Sequence, residues 1–455
     1  MSEVEKGQEA FLYKQVYERL KKDILNGYLQ KGDRLPSIRK SVKQFKVSKT
    51  SVEHAYAQLL LEGFIKSKPQ AGYFVDVDQE HVRLRKQVLE HPSLCPKKAI
   101  QYDFRSQSMD KTNFDMVLWK KYLKEILDSN PEMTTYGDAQ GEYTLRCALQ
   151  KYAYFNRGVL CKPQDMIIGS SFQSLLYLLC SFFPKHFVVG MEEDSFVQAE
   201  TVFKSFGFPI VYLKRNQDGI AIKELVKNHV TLLYVNTGSS GCNHQPITKQ
   251  KKEELLEWTK QYDTYIIEDD HNGELRYESK VMNALQGYDV LQHIFYIGSF
   301  SRLLLPSIRI SYLVLTKEIQ EKYVQHATCF APTCSKLEQL ALARYISDGH
   351  LERHLKKLTK RYEKKSKTMY AVLKRYFRYE HIVLEEAGLQ YVITFDEPLL
   401  SASMIKQLEN EGIALNWLDE THLEVSFAAI SLQDMEPGIN MIHNYIQKKR
   451  GMKDE

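Results

Sequence analysis

Between residues 166 and 315, short aliphatic runs recur, most of them separated by stretches long enough for a helix. They are Met166-Ile-Ile168, Phe187-Val-Val189, Ile210-Val-Tyr-Leu213, Leu232-Leu-Tyr-Val235, Tyr265-Ile-Ile267, Ile294-Phe-Tyr-Ile297 and Ile310-Ser-Tyr-Leu-Val-Leu315. Such runs barely alternate with polar residues, so they suit strands covered on both faces, and the intervening helices predict an α/β body with a largely parallel sheet. Ligands of these sheets gather beyond the carboxyl ends of the strands. The run through Ile267 leads into Glu268-Asp-Asp270 and the run through Ile297 into Gly298-Ser-Phe-Ser-Arg302. Carboxylates, hydroxyls and a guanidinium are therefore expected on one rim.

The 455 residues allow two or three domains and a large core. Apolar residues make up 43% and charged residues 26%, a globular balance that excludes disorder as the main state. No apolar run approaches the roughly 18 residues of a membrane span, and Ser2-Glu-Val-Glu-Lys6 is unlike a secretory leader. A cytoplasmic protein with no membrane partner is expected. The seven cysteines are scattered without metal-ligand spacing, so they are taken as free thiols and no metal is expected.

Charge divides the chain. The first 75 residues carry 14 Lys+Arg against 8 Asp+Glu, leaving 48 against 49 for the remainder. A small basic module on a near-neutral body suits a polyanion partner. Within it, Leu12, Val16, Leu20 and Ile24 make one helical stripe that Asn26-Gly27 can end. A second helix follows Leu35-Pro36-Ser37, with Ile38, Val42 and Phe45 inward. Ser48 can cap a third, whose Val52, Ala55, Tyr56 and Leu59 share a face. The first turn of that helix, Lys49-Thr50-Ser51, has a cation and hydroxyls of the kind that reach phosphates and base edges in a major groove. Phe64-Ile65 and Tyr73-Phe74-Val75 flank a basic hairpin tip.

Leu12-Tyr-Lys-Gln-Val-Tyr17, Gly32-Asp-Arg-Leu-Pro-Ser-Ile-Arg39, Val47-Ser-Lys-Thr-Ser-Val52, Leu61-Glu-Gly-Phe64 and Gly72-Tyr-Phe-Val75 together resemble the GntR-type winged helix-turn-helix. The resemblance implies a double-stranded DNA operator as partner. By position, its contacts are Arg39, Lys49, Thr50 and Ser51, with Lys68 and Gln70 at the wing. Gln70 departs from the glycine usual there.

The body resembles fold type I aminotransferases, through Tyr136-Gly-Asp-Ala-Gln-Gly141 with Leu145-Arg146, Arg157-Gly158, Ile267-Glu-Asp-Asp270, Tyr296-Ile-Gly-Ser-Phe-Ser301 and Pro306-Ser-Ile-Arg309. With the basic module in front, the whole is similar to the MocR subfamily of GntR regulators. The expected organisation is a winged helix-turn-helix over residues 1–76, a linker over 77–98, and an aminotransferase-like effector and dimerisation domain over 99–455.

In the enzymes, the resemblance implies, a lysine after Ser-Phe-Ser forms an imine with pyridoxal phosphate, an aspartate meets the pyridine nitrogen and an arginine holds the phosphate. These positions are Arg302, Asp269 and Arg309. An imine needs an amine that can become neutral, and a guanidinium does not. Nor can Arg302 serve as the general base that the ε-amine would supply. Other positions depart as well: Ser170 replaces a glycine beside Ser171, Phe196 the ring-stacking tyrosine, and His271 a tyrosine after the paired aspartates. No arginine lies between 379 and 449 to clamp a substrate carboxylate.

The expectation is therefore no catalytic residue and no covalent cofactor. Noncovalent pyridoxal phosphate is the lesser alternative to a small anionic effector held among Ser299, Ser301, Arg302 and Arg309, with Asp269 neutralising a ring nitrogen or pairing with Arg302. A homodimer would present two winged modules to two half-sites. The competing expectations are a pyridoxal-phosphate aminotransferase with an appended DNA-binding domain, and a ligand-free dimerisation scaffold.

Overall fold

The computed structural model describes residues 3–77, 100–105, 109, 114–129, 131–193, 196–216, 219–239, 246–271, 273–278, 282–378, 380–385 and 388–451. The chain divides into two compact units, Met1–Lys97 and Lys98–Glu455. Apart from Val77, the expected linker lies outside the described residues.

The first unit contains α1 (Glu3–Leu25), α2 (Ile38–Phe45) and α3 (Lys49–Leu61), then an antiparallel wing of β1 (Ile65–Lys68) and β2 (Gly72–Val75). Val16, Leu20 and Ile24 of the α1 stripe are buried, and Gly27 turns the chain with φ 79°. Ser37 caps α2 by accepting from the Lys40 amide at 3.3 Å, and Ser48 caps α3 from the Ser51 amide at 3.1 Å. Val52, Ala55, Tyr56 and Leu59 of α3 are fully buried against α1 residues, Leu35, Phe64 and Val75. The Tyr56 hydroxyl donates to the Pro36 carbonyl at 2.8 Å and lies 2.9 Å from the Ser41 hydroxyl, tying α3 to the approach into α2.

The second unit is built on a sheet of β3 (Met166–Gly169), β4 (Val189–Glu192), β5 (Ile210–Leu213), β6 (Leu232–Val235), β7 (Tyr265–Asp269), β8 (Ile294–Ser299) and β9 (Ser311–Val314). The order is β3-β9-β8-β7-β6-β4-β5. β9 runs antiparallel to both neighbours, and the other pairings are parallel.

Successive strand residues enter different cores: Met166, Ile168, Tyr296 and Tyr312 one, Ile167, Phe295, Ile297 and Leu313 another. That period of two is why both faces must be covered. α4 (Met116–Ser129) and α5 (Tyr143–Arg157) contribute to the first core, and α6 (Phe172–Cys180) and α7 (Val197–Phe206) to the second. A separate antiparallel sheet follows: β10 (His381–Glu385), β11 (Gln390–Thr394), β12 (Asn416–Trp417) and β13 (His422–Ser426), ordered β10-β11-β13-β12.

One expected strand is displaced. The run Phe187-Val-Val189 only begins β4, which continues through Gly190, Met191 and Glu192. A Cβ at Gly190 would stand 2.9 Å from Val230 Cγ1, and buried Glu192 is neutralised by Arg215 at 3.0 Å. Among the described residues, no helix is long and apolar enough to cross a membrane.

Candidate functional site

In the first unit, the sequence-derived contacts cluster where α2 and α3 begin. Arg39 is the second residue of α2 and is exposed, as are Lys49 and Thr50 in the first turn of α3. Lys49 lies 3.3 Å from Glu53, one helical turn on. Ser51 does not belong with them. It is only 5% exposed, and its hydroxyl sits 2.9 Å from that of Ser48, so it packs the cap inward. On the wing, the Lys68 ammonium stands 4.8 Å from the Phe74 ring centre, which keeps it near the hairpin while charged. Gln70 is exposed and adopts φ 58°, the left-handed conformation a glycine would supply without strain. The turn is thus kept although the glycine is not.

In the second unit, the candidates meet at the carboxyl ends of the strands. The three carboxylates after Ile267 have different tasks. Glu268 is fully buried and accepts from Thr237 Oγ1 at 2.6 Å and from the amides of Leu285 and Gln286. Burial raises its pKa, as does the neighbouring Asp270 charge. Asp270 takes a two-pronged bond from Arg157, Nε to Oδ2 at 2.5 Å and Nη2 to Oδ1 at 3.0 Å, and a third from the Tyr296 hydroxyl at 2.6 Å. Burial alone would raise the Asp270 pKa, but Arg157 and these bonds hold it below the usual range. Both are structural groups.

Asp269 remains. It accepts from the Tyr234 hydroxyl at 2.6 Å, and burial, helped by the charge of Asp270, lifts its pKa to about 7. Tyr234 is packed edge-on by Phe172, which in turn meets the half-exposed ring of Phe196. No sequence pattern marked Tyr234. It looks like one more apolar residue of a buried strand.

The serines form two groups. Ser299 and Ser301 have hydroxyls 3.1 Å apart, and Ser311 on the neighbouring strand donates to Ser299 at 3.1 Å. Ser171 caps α6, with Ser174 returning the bond in a capping box. Ser170 donates its amide to Thr333 Oγ1 at 3.2 Å, and Cys334 next along donates to the Arg309 carbonyl. Pairing of Gly169 with Ser311 and of Ser311 with Ser299 puts these residues on adjacent strand ends. Arg309 itself is exposed, with φ 54°. An exposed guanidinium can hold a phosphate or carboxylate.

Arg302 corrects an expectation. Its Nη1 donates to the Gly388 carbonyl at 3.0 Å, and Glu385 and Glu424 of the antiparallel sheet attract its charge. The partner of Asp269 is Tyr234 instead. Burial lowers the pKa of Arg302, yet a guanidinium stays protonated at any working pH. His271 is driven down to about 3 by burial and by the nearby Arg302 charge, so its imidazole is neutral.

Among the described residues three lysines are buried: Lys251 pairs with Glu254, Lys252 donates to the Asn283 carbonyl, and Lys365 to that of Ala428. Arg302, at the position where the resemblance puts the imine-forming lysine, offers no amine that could become neutral. Among the described residues, no cluster of histidine, cysteine and carboxylates could hold a metal.

With this geometry in hand, the comparisons are specific. Residues 12–75 match the family described as bacterial regulatory proteins, gntR family, and residues 106–442 match aminotransferase class I and II. The HTH-type transcriptional regulator YdeL of Bacillus subtilis (strain 168) is 30% identical over 448 residues, covering 95% of this chain and 96% of that one. The probable rhizopine catabolism regulatory protein MocR of Rhizobium meliloti is 25% identical over 95% of this chain and 93% of its own. Among solved structures, an archaeal alanine:glyoxylate aminotransferase superposes with a TM-score of 0.70 at 20% identity, over 82% of this chain and 94% of that one.

Proposed function

The chain belongs to the gntR family of bacterial regulators, in the MocR form that carries an aminotransferase class I and II domain, and from that premise we propose that it binds operator DNA as a homodimer and answers to a small anionic effector. One observation carries the DNA-binding half: Arg39, Lys49 and Thr50 are exposed together at the starts of α2 and α3. A helix start carrying cations and a hydroxyl can approach the phosphates and base edges of a major groove. Two tethered copies raise a modest single-module affinity through effective concentration.

For the body, we read a binding domain without catalysis. Arg302 is turned to Gly388 and cannot supply the amine that transamination needs. The effector's anion would be met by the exposed Arg309 and by Ser170, Ser299 and Ser301, which lie at adjacent strand ends. Asp269, held by Tyr234, would meet a donor on the same ligand. Noncovalent pyridoxal phosphate is one molecule of that description.

A native mass spectrum followed by a denatured one tests the assignment, since it reports dimer mass and any retained small molecule together. The expected result is a dimer with no covalent adduct. Adding excess pyridoxal phosphate should produce no long-wavelength imine band, and turnover of an amino acid with an oxoacid would overturn the non-enzymatic reading.

A further inference from the structure

We propose that the cleft between α2, α3 and the wing holds a backbone phosphate of duplex DNA, with Arg34 as its main ligand. This rests on the DNA-binding reading above and adds a site that the resemblance did not assign. The cleft has a volume of about 410 Å³, with Arg34, Arg39 and Lys49 among its lining residues beside Leu35, Ile38 and Tyr73.

Its apolar part is tied to the core. Tyr73 packs edge-on against Tyr56 with ring centres 5.0 Å apart, and Tyr56 is in turn fixed by Pro36 and Ser41. Arg34 is fixed from both flanks: the Leu35 amide donates to the Tyr73 carbonyl and the Val75 amide to the Asp33 carbonyl, each at 2.9 Å. Residues 33–35 thus run beside β2, with Arg34 bridged to Phe74.

From that position the guanidinium lies over Gly72, where an added Cβ would stand 3.6 Å from both Nε and Nη2. Gly72 also needs its φ of 99°, so glycine serves both the turn and the approach of the arginine. Lys49 shares its charge with Glu53. Arg34 and Arg39, by contrast, take part in no ion pair among the described residues. A guanidinium held on strand-like backbone can offer paired N–H donors to two phosphate oxygens. Such a contact positions the module and reads no sequence.

Because the contact is independent of sequence, any mixed-sequence duplex serves as the probe. Binding of the full chain is measured by fluorescence anisotropy across a salt series. Arg34→Ala should weaken binding about tenfold at low salt and reduce the slope of log affinity against log salt by about one. Arg34→Lys should restore the slope and part of the affinity. Lys22→Ala, which removes the same charge from α1 outside the cleft, should leave the slope unchanged. Thermal melts of each variant separate lost binding from lost folding.

A wild-type slope in folded Arg34→Ala, or an equal loss in Lys22→Ala, would overturn the cleft and leave the DNA reading intact. Absence of salt-dependent duplex binding in the wild type would instead remove the DNA reading itself. Inorganic phosphate, compared with chloride at matched ionic strength, should compete with duplex better in the wild type than in Arg34→Ala. Protection of Arg34 by phosphate with no effect on duplex affinity would assign the cleft to a free anion and overturn the proposal.

Discussion

The two units use their charged side chains in opposite ways. In the first, Arg34 and Arg39 are displayed outward, and the apolar residues beneath them form the scaffold. In the second, charges at the carboxyl ends of the strands are turned to neighbouring groups: Asp270 to Arg157, Asp269 to the Tyr234 hydroxyl, Arg302 to the Gly388 carbonyl. The contrast separates charges left at the surface from charges held by neighbouring groups within the structure.

The largest test of that contrast is Arg157→Ala. It leaves a carboxylate with no exposed surface bonded to Tyr296, with the Arg276 charge nearby, and breaking such a pair from one side costs about 3–5 kcal/mol. Chemical denaturation should show that loss in the body. A change below about 1 kcal/mol would mean that the pair is not part of the scaffold. Asp269→Asn should act in the other direction, and only at high pH. The folded pKa of about 7 lies above the ordinary value of 3.8, so the native state keeps a proton that the unfolded chain gives up. Wild-type stability should therefore fall as pH rises from about 4 to about 7, and the asparagine variant should show a shallower fall, the remainder coming from Glu274, which burial also raises to about 7. Denaturant midpoints should coincide at about pH 4 and favour the variant by roughly 1–4 kcal/mol at about pH 8.

The unequal legibility of the two units has physical causes. α1, α2, α3 and the wing could be placed from sequence because each has a local mark, such as Ser37 and Ser48 as caps or Gly27 as a stop. Most strands of the large sheet could be placed because they are buried on both faces. β4 was displaced because Gly190 and Glu192 look polar or flexible until Val230 and Arg215 are seen beside them. The antiparallel sheet was not foreseen, since the edge strand β10 is only half-buried and lacks a long apolar run. Arg157 and the aspartate pair were visible as landmarks, but their union spans 113 positions. The direction of Arg302 had no local determinant at all, and Ser51 looked like a displayed hydroxyl because its contact with Ser48 is a matter of rotamer.

On the displayed side, Arg39→Ala should weaken duplex binding by about 1–3 kcal/mol, and Lys49→Ala by less, since Glu53 already shares the lysine's charge. Anisotropy titrations at fixed salt would show the order, and equal losses would mean that Lys49 leaves Glu53 when DNA arrives. The smallest effect is expected at the wing. Gln70 is held at φ 58°, where its Cβ crowds the backbone, and its exposed side chain gives little packing in return. Gln70→Gly removes that crowding at the cost of some unfolded-state entropy, so a net gain of about 0.5 kcal/mol is expected in thermal melts. If the variant gains stability but loses duplex affinity, the glutamine side chain itself touches DNA. If both stay unchanged, the wing already tolerates the conformation, and the departure from glycine has no energetic consequence.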